Sequence, residues 1–236
     1  MRLVKINWAK TATELLTIIA GVLIALWIGE LRQGYLDRQK EQEYLLRLAE
    51  DLGQDIDEIE RVNRHIDGRV TAALNALRFL DSGPDASPLE TTIGDFDRAG
   101  YITFFIHARS TWDDLAATGS LQLITDSTLR RSLSRYYRST RFIDEFDESK
   151  IEQIWHGYRV ELDNHLSPML ILDARRANGE GIDIDRVDLE ALRGSRSLRI
   201  GLEKIIAMGE VEKRMVSNLG EQTSALLERV SELSAL

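Results

Sequence analysis

The longest apolar run of the chain lies near its start, at Leu15–Gly29. A helix that crosses a bilayer needs about 20 residues, and extension of the run over residues 11–31 reaches that length. Trp8 and Trp27 stand 19 positions apart, which is about 28 Å along a helix. Because tryptophan favours the two interfaces of a membrane, this spacing predicts a transmembrane anchor.

Two other interpretations compete with the anchor: a cleaved signal peptide and a buried helix of a soluble domain. Basic residues precede the run, as in a signal peptide. However, Trp27, Glu30 and Arg32 stand where the small residues of a cleavage site would be expected. We therefore predict an uncleaved anchor within residues 1–34, followed by a body that comprises residues 35–236.

The orientation of the anchor depends on basic residues at its two ends. Those before the run are Arg2, Lys5 and Lys10, and those after it are Arg32, Arg38, Lys40 and Arg47. The two counts are nearly balanced, so the positive-inside rule discriminates little. We predict a single-pass protein of the bacterial inner membrane, with the N-terminus in the cytoplasm and the body outside it.

Small residues recur every four positions in the predicted span: Thr13, Thr17, Gly21, Ala25 and Gly29. They share one side of a helix, and such stripes let two backbones approach closely in lipid. Small residues are also common in membrane helices in general. We predict that the chain forms a homo-oligomer through this stripe.

An amphipathic pattern follows the anchor. Residues 30–80 contain no proline, and their apolar positions are spaced by three, four and seven, which is typical of a helix with one buried face. Gly34 and Gly53 are the weakest points of the pattern. We predict a helix that ends at about Leu80 and either continues the anchor helix or begins after it, and a loop over residues 81–88.

The region after this loop is ambiguous. Residues 90–101 fit a short helix, and residues 101–107 fit a strand by composition. We favour a helix followed by a loop, because a lone strand would have no partner. Ser110–Asp113 resembles a capping box, which predicts a short helix over residues 111–118 that ends at Gly119.

Two further helices and an irregular region complete the pattern. Asp126 or Ser127 is expected to cap a long helix that ends before Pro168. Residues 169–173 and 182–185 suggest a small hairpin, and the last helix is expected at residues 195–232. The whole chain is therefore predicted to be all-α: a transmembrane helix that leads into a bundle of three long helices and one or two short ones.

Three segments resemble a bacterial family of membrane proteins of unknown function. They are the Gly-Val-Leu-Ile-Ala-Leu sequence at residues 21–26 and the sequences Ser110–Ile124 and Leu129–Tyr137. The resemblance covers about the first two thirds of the chain. It implies an N-terminal span and a long charged helix, but no activity. The family usually continues its span with Gln-Ile-Asn-Asn-Trp-Asn, from which Trp27–Arg32 departs.

Composition and charge exclude several classes of function. The net charge is −9, and residues 1–34 carry +2, which leaves −11 for the body. An acidic body argues against nucleic acid as a partner. The chain has no cysteine, so thiol catalysis, disulfides and cysteine-bound zinc are excluded.

No cofactor or metal site is predicted. The four histidines (His65, His107, His156 and His165) lack the i, i+3 or i, i+4 spacing of a helical metal site. The acidic region from Asp173 to Asp188 fails the EF-hand spacing. No nucleotide-binding loop or nucleophile motif is present, so no catalytic residue is assigned.

One basic patch is a candidate contact for an anionic partner. Arg131, Arg135 and Arg138 share one face of the predicted third helix. They would contact anionic headgroups or an acidic ligand. The competing interpretation is a salt-bridged face opposite the acidic segment 55–60.

These observations predict a membrane-anchored interaction or scaffold protein that self-associates. The alternative is a ligand-sensing bundle that relays a signal to a membrane partner. A pocket of convergent charged residues inside the bundle would favour the alternative, and a solid apolar core would favour the first interpretation.

Overall fold

The computed structural model describes residues 8–84, 87–177 and 183–235, and gives no side-chain positions for residues 8–14 and 147–148. Within these residues every regular element is helical and there is no strand, which confirms the predicted all-α class. The helices are α1 (Trp8–Ser82), α2 (Leu89–Ala99), α3 (Ser110–Ala117), α4 (Ser127–Phe146), α5 (Glu152–Asp163), α6 (Pro168–Ala177), α7 (Leu189–Gly194) and α8 (Arg196–Ser234). A π-helical turn, Asp147–Ile151, joins α4 to α5, and 3-10 turns span Ser120–Leu123 and Ile184–Arg186.

Helix α1 continues from the apolar run into the body without a break. Its 75 residues correspond to about 110 Å. It contains no proline, and the helix accommodates both Gly34 and Gly53. It ends before Gly83, whose φ is +74° and whose N–H donates to the Phe79 carbonyl over 2.8 Å. A left-handed glycine is the usual residue at such an end, and the predicted end near Leu80 is correct to within two residues.

Helix α1 is the one helix of the described residues that is long and apolar enough to cross a membrane. No part of its apolar stretch is buried by the rest of the fold. After this stretch, residues 32–40 form a polar and largely exposed stalk. The body begins where Leu45 becomes buried.

The longest helices of the body, α1 and α8, are antiparallel neighbours. At one end the Gln42 side chain donates to the Leu233 carbonyl over 3.2 Å. At the other end Arg199 pairs with Asp81 at 2.8 Å. The two helices therefore pack together from Gln42 to Asp81 of α1.

The third long element, α4 with the π turn and α5, runs parallel to α1. Thr125 donates to Glu41 over 2.8 Å, and the Tyr136 hydroxyl donates to Asp55 over 2.6 Å. The predicted bundle of three long helices is therefore present. Within the described residues it is accompanied by four short α-helices (α2, α3, α6 and α7), more than the one or two expected.

The core consists of two apolar clusters separated by a buried ion pair. The cluster nearer the stalk includes Leu48 and Leu133, and the distal cluster includes Phe79 and Tyr158. Between them Arg69 contacts Glu212, and the side chains of both are 5% exposed. Burial raises the pKa of Glu212, although the Arg69 guanidinium opposes this shift.

Three carboxylates of α1 hold the segment between α2 and α3 and the start of α3. The Ile106 N–H donates to Glu58 and the Ala108 N–H donates to Asp55, over 3.0 and 2.7 Å. Asp51 accepts from the Thr111 N–H over 3.0 Å. The segment therefore obtains from α1 side chains the hydrogen bonds that a sheet partner would otherwise provide.

The predicted capping box at Ser110–Asp113 is wrong. Arg109 is the N-cap residue of α3, and no side-chain cap bond forms there. The Ser110 hydroxyl instead faces Asp51 at 3.4 Å. A carboxylate from another helix has replaced the local cap.

The predicted hairpin is also wrong. Residues 169–173 lie inside α6, and residues 184–186 form a 3-10 turn; residues 178–182 lie outside the described part. Helix α6 begins at Pro168, a favoured first residue, and the Ser167 hydroxyl accepts from the Leu170 N–H over 3.2 Å. These local signals outweigh the turn-like composition that follows.

Asp97 joins three of the distal helices. This carboxylate on α2 is 3% exposed and accepts bonds from Arg175 (2.6 and 2.8 Å), Arg159 (2.9 Å) and Tyr101 (2.9 Å). Burial would raise the pKa of Asp97, but the hydrogen bonds from Arg175, Arg159 and Tyr101 outweigh it and lower the pKa. The junction therefore needs an ionised carboxylate.

The tight packing of Gly209 of α8 against α1 leads to a first prediction. A Cβ at Gly209 would lie 2.4 Å from Cγ2 of Val70, and a valine in a helix has little rotamer freedom. We expect Gly209→Ala to lower the free energy of unfolding by about 1–3 kcal/mol. The control is Gly53→Ala, since a Cβ there meets nothing within 4 Å and should stabilise the helix by about 0.5–1 kcal/mol. Urea unfolding of the full chain, followed by circular dichroism, measures both. Equal effects would contradict the proposed close packing.

The Asp97 junction predicts an acid-sensitive contribution to stability. Since the folded pKa is lowered, the contribution is present above the unfolded carboxyl pKa of about 3.9 and is lost as the pH falls through the folded value. Asp97→Asn should cost about 2 kcal/mol at pH 7 and less at pH 3. Asp173→Asn, at an exposed position of α6, is the control. A loss for Asp97→Asn that is independent of pH would refute the charge dependence.

Candidate anion-binding groove

The main candidate site is the outer face of α4. Arg131, Arg135 and Arg138 are exposed there, as predicted. Together with Arg130 they line an open groove of about 710 Å³, which we call the arginine groove. Its other lining residues are Leu121, Gln122, Ser127 and Ser134.

The first turn of α4 is fixed by Asp126. Its Oδ1 accepts from the N–H groups of Thr128 and Leu129 over 2.7 and 3.0 Å. Its Oδ2 accepts from Arg229 of α8 over 2.6 Å. The hydrogen bond from Arg229 is the main reason that the pKa of Asp126 is lowered. Of the two expected caps, Asp126 is therefore the correct one.

The wall of the groove is the short connection between α3 and α4. Gly119, with a φ of +70°, reverses the chain after α3. Arg130 donates to the Ile124 carbonyl, and Glu41 of α1 accepts from the Thr125 N–H over 2.6 Å. The groove is thus bounded by a connection that is held at Ile124 and Thr125, just before α4.

The three exposed guanidinium groups are not neutralised within the fold. Among the described residues, no carboxylate lies within 4.0 Å of Arg131, Arg135 or Arg138. The interpretation of a salt-bridged face opposite residues 55–60 is wrong. Asp55 and Glu58 bind the 106–108 backbone instead, and Glu60 pairs with Arg64 on its own helix at 3.6 Å.

The arrangement suits an extended anion. A guanidinium group binds a carboxylate or phosphate through two parallel N–H donors. Arg131 and Arg138 are seven positions apart, about 10 Å along the helix. A neighbouring cavity of about 500 Å³ between α4 and α8 shares Arg135 and adds Ser132, Gln222 and Arg229. The basic surface therefore extends as a stripe, not as a closed pocket.

The residues predicted for the anchor lie on α1. Thr17, Gly21, Ala25 and Gly29 are all exposed on this helix, and a Cβ at Gly21 or Gly29 would meet nothing within 4 Å. Trp27 is 62% exposed. The backbone of Trp8 lies in the same helix, but its side chain lies outside the described part. From Thr17 to Gly29 the stripe is therefore exposed, and the side chain of Thr13 lies outside the described part.

The histidines lie apart from the groove. His107 contacts Asp144 at 3.2 Å, and His165 contacts Glu161 at 3.4 Å. Within residues 8–84, 87–177 and 183–235, no group of three or more histidine or acidic side chains is arranged to hold a metal ion. Asp188, one of the acids in the calcium interpretation, caps α7 through the Ala191 N–H.

Sequence reasoning did not include the wall of the groove or its serines. Leu121 and Gln122 reach it only because Gly119 turns the connection back towards α4. Ser127 and Ser134, in contrast, stand four positions before and three after Arg131. Helical spacing alone would have placed both on the arginine face.

Comparisons of the chain with protein-family models, with curated proteins and with solved structures found no match. The resemblance to a family of bacterial membrane proteins stays a prediction. The functional assignment therefore rests on the geometry described above.

Because the three groove arginines have no ion-pair partner, we predict that the fold does not depend on them. Replacing Arg131, Arg135 and Arg138 together with alanine should change the free energy of unfolding by no more than about 0.5 kcal/mol, because exposed residues without ion-pair partners contribute little. Asp126→Ala should cost about 1 kcal/mol through the lost cap. Urea unfolding distinguishes the two. A large loss for the triple variant would show that the arginines serve the fold itself.

Proposed function

We propose that this chain is a single-pass membrane protein whose helical body is a self-associating interaction module. The observation that carries the proposal is the exposure of the apolar part of α1. Leu16, Ile18 and Trp27 are 66, 64 and 62% exposed, and eight further large apolar side chains between Leu15 and Leu31 are also exposed.

Exposure of these side chains to water would cost a large free energy. Burial of a large apolar side chain is worth about 1.5–3 kcal/mol, so eleven of them amount to about 20 kcal/mol. The net stability of a domain is only about 5–15 kcal/mol. An apolar helix of this length needs an apolar environment, and the hydrocarbon core of a bilayer matches its length.

The distribution of charges in the body supports an interaction module rather than a sensor. The charges inside the bundle, Arg69 with Glu212 and Asp97 with its arginines, are paired with one another, and the arginines without ion-pair partners lie on its surface in the arginine groove. An open surface stripe suits a macromolecular partner with acidic side chains, whereas a small-molecule sensor would need an enclosed pocket. The exposed stripe of Thr17, Gly21, Ala25 and Gly29 supports close packing between two anchors.

We place the N-terminus in the cytoplasm and the body on the other side of a bacterial inner membrane. A reporter that is active only in the cytoplasm, fused to the C-terminus, should be silent. The polar stalk, residues 32–40, would then cross the headgroup region and hold the body away from the lipid.

Charged substitutions in the anchor test the proposal. Leu23→Arg with Ile24→Arg adds about 5–7 kcal/mol to the cost of insertion, since each arginine at a helix centre costs about 2.5–3.5 kcal/mol. We expect the native chain to remain in the membrane pellet after an alkaline wash. The double variant should move to the soluble or aggregated fractions.

The control uses the same chemistry in the same helix. Leu46 and Leu74 are exposed leucines of the body part of α1, at 57 and 47%. Leu46→Arg with Leu74→Arg should leave the chain in the pellet. Release of the native chain by the wash, or equal release of both variants, would refute the anchor.

A further inference from the structure

We infer that the arginine groove binds the outer face of α1 in a second copy of this chain, through Glu43, Glu50 and Asp57. The inference rests on the proposed function, because it takes both copies to be anchored in one membrane. It names the partner of the groove as an acidic helix of the same protein.

Glu43, Glu50 and Asp57 form an unpaired acidic face on α1. They are spaced by seven residues, so they lie on nearly one line along the helix. All three are exposed, and none has a hydrogen-bond or ion-pair partner among the described residues. Exposed Leu46 and Gln54 lie beside them. We call these five residues the acidic face.

The acidic face points away from its own bundle. The buried positions of α1 in this region, such as Leu45, Leu48 and Leu52, occupy the other side of the helix. The arginines likewise lie opposite the buried face of α4, which includes Leu133 and Tyr136. Neither face can therefore reach the other within one copy.

The two faces match in spacing and in sign. Arg131 and Arg138 are seven positions apart, as are Glu43 and Glu50, and Glu50 and Asp57. Each interval is about 10 Å along a helix. Two helices laid side by side would bring Arg131 and Arg138 to two successive carboxylates, with Leu46 facing the apolar part of the groove.

The two faces also lie at the same height above the anchor. Thr125 is level with Glu41, and Tyr136 is level with Asp55. Arg131 therefore stands level with about residue 48 of α1, about 25 Å beyond Leu31 at 1.5 Å per residue. Copies that share a membrane and an orientation present their acidic faces at this height.

The same height argues against lipid as the partner. Since residues 32–40 would cross the headgroup region, Arg131 lies about 12 Å and Arg138 about 25 Å beyond it, whereas the Debye length at physiological ionic strength is about 8 Å. The attraction of the headgroups would thus be weakened by screening at Arg131 and largely lost at Arg138. A second copy meets no such limit.

The contact would be head-to-tail, because each copy offers one groove and one acidic face on different sides of its bundle. Such an interface closes into a ring when the rotation between copies allows it. Exposed ion pairs are individually weak and salt-sensitive. Anchoring raises the effective concentration of the bodies, which makes several weak pairs sufficient.

Cysteine crosslinking in isolated membranes tests this arrangement, since the native chain has no cysteine. One tagged copy carries Gln54→Cys and a differently tagged copy carries Ser134→Cys. A short bismaleimide should link the two to each other. It should link two Gln54→Cys copies poorly, because their acidic faces do not meet.

Charge reversal identifies the contact. Arg131→Glu with Arg138→Glu in the Ser134→Cys copy should abolish most of the crosslinked product. Glu50→Arg with Asp57→Arg in the Gln54→Cys copy should restore it, because these two carboxylates lie level with the two arginines. The matched control, Arg176→Glu with Arg196→Glu, makes the same change of charge at exposed positions away from the groove and should leave the product unchanged.

Each contrary outcome has a separate meaning. Loss without restoration would assign the groove to another protein or a free anion and overturn the inference. Absence of the mixed product from chains that remain in the membrane pellet would also overturn it, while the anchor stands. Absence of the native chain from the pellet would instead refute the proposed function.

Discussion

The rest of the structure depends on the continuity of one helix. Helix α1 carries the apolar stretch, the stalk and the central rod of the body within a single unbroken hydrogen-bonded ladder. Because a helix fixes the rotation of each residue relative to the next, the direction of the acidic face follows from the direction of the apolar stretch. The extended segment and the start of α3 are in turn held by Asp51, Asp55 and Glu58 of this helix.

The buried Arg69–Glu212 pair marks a division inside this continuous frame. It separates the two apolar clusters at the level where α1 and α8 come closest, near Gly209. A buried pair of this kind adds little net stability compared with apolar packing, but loss of one partner is costly. It therefore favours one alignment of α8 along α1 over alignments shifted by a turn, since a shifted helix would bury one of the charges alone.

Long-range contacts mark the limit of what the sequence alone could predict. The three long helices, the end of α1 near Gly83 and the cap of α4 at Asp126 all follow from periodicity and local chemistry. The N-terminus of α3 does not, because Asp51 is 60 positions away from the Thr111 N–H that it binds. Helical spacing placed the three groove arginines on one face. Whether acidic neighbours neutralise them depends on tertiary contacts, and there the salt-bridged interpretation was wrong because Asp55 and Glu58 are bound to a backbone segment.

The pairing of α1 with α8 also has a consequence for how the chain is made. Gln42 and Leu233 are 191 positions apart, so the first body helix to leave the ribosome is completed by the last. At a synthesis rate of about 5–20 residues per second, this delay is about 10–40 s. During it the apolar face of α1 around Leu45, Leu48 and Leu52 has no α8 to cover it. Nascent chains would thus present the surface that chaperones recognise, and a stop codon before α8 would leave α1 with its core face exposed, a substrate for proteolysis.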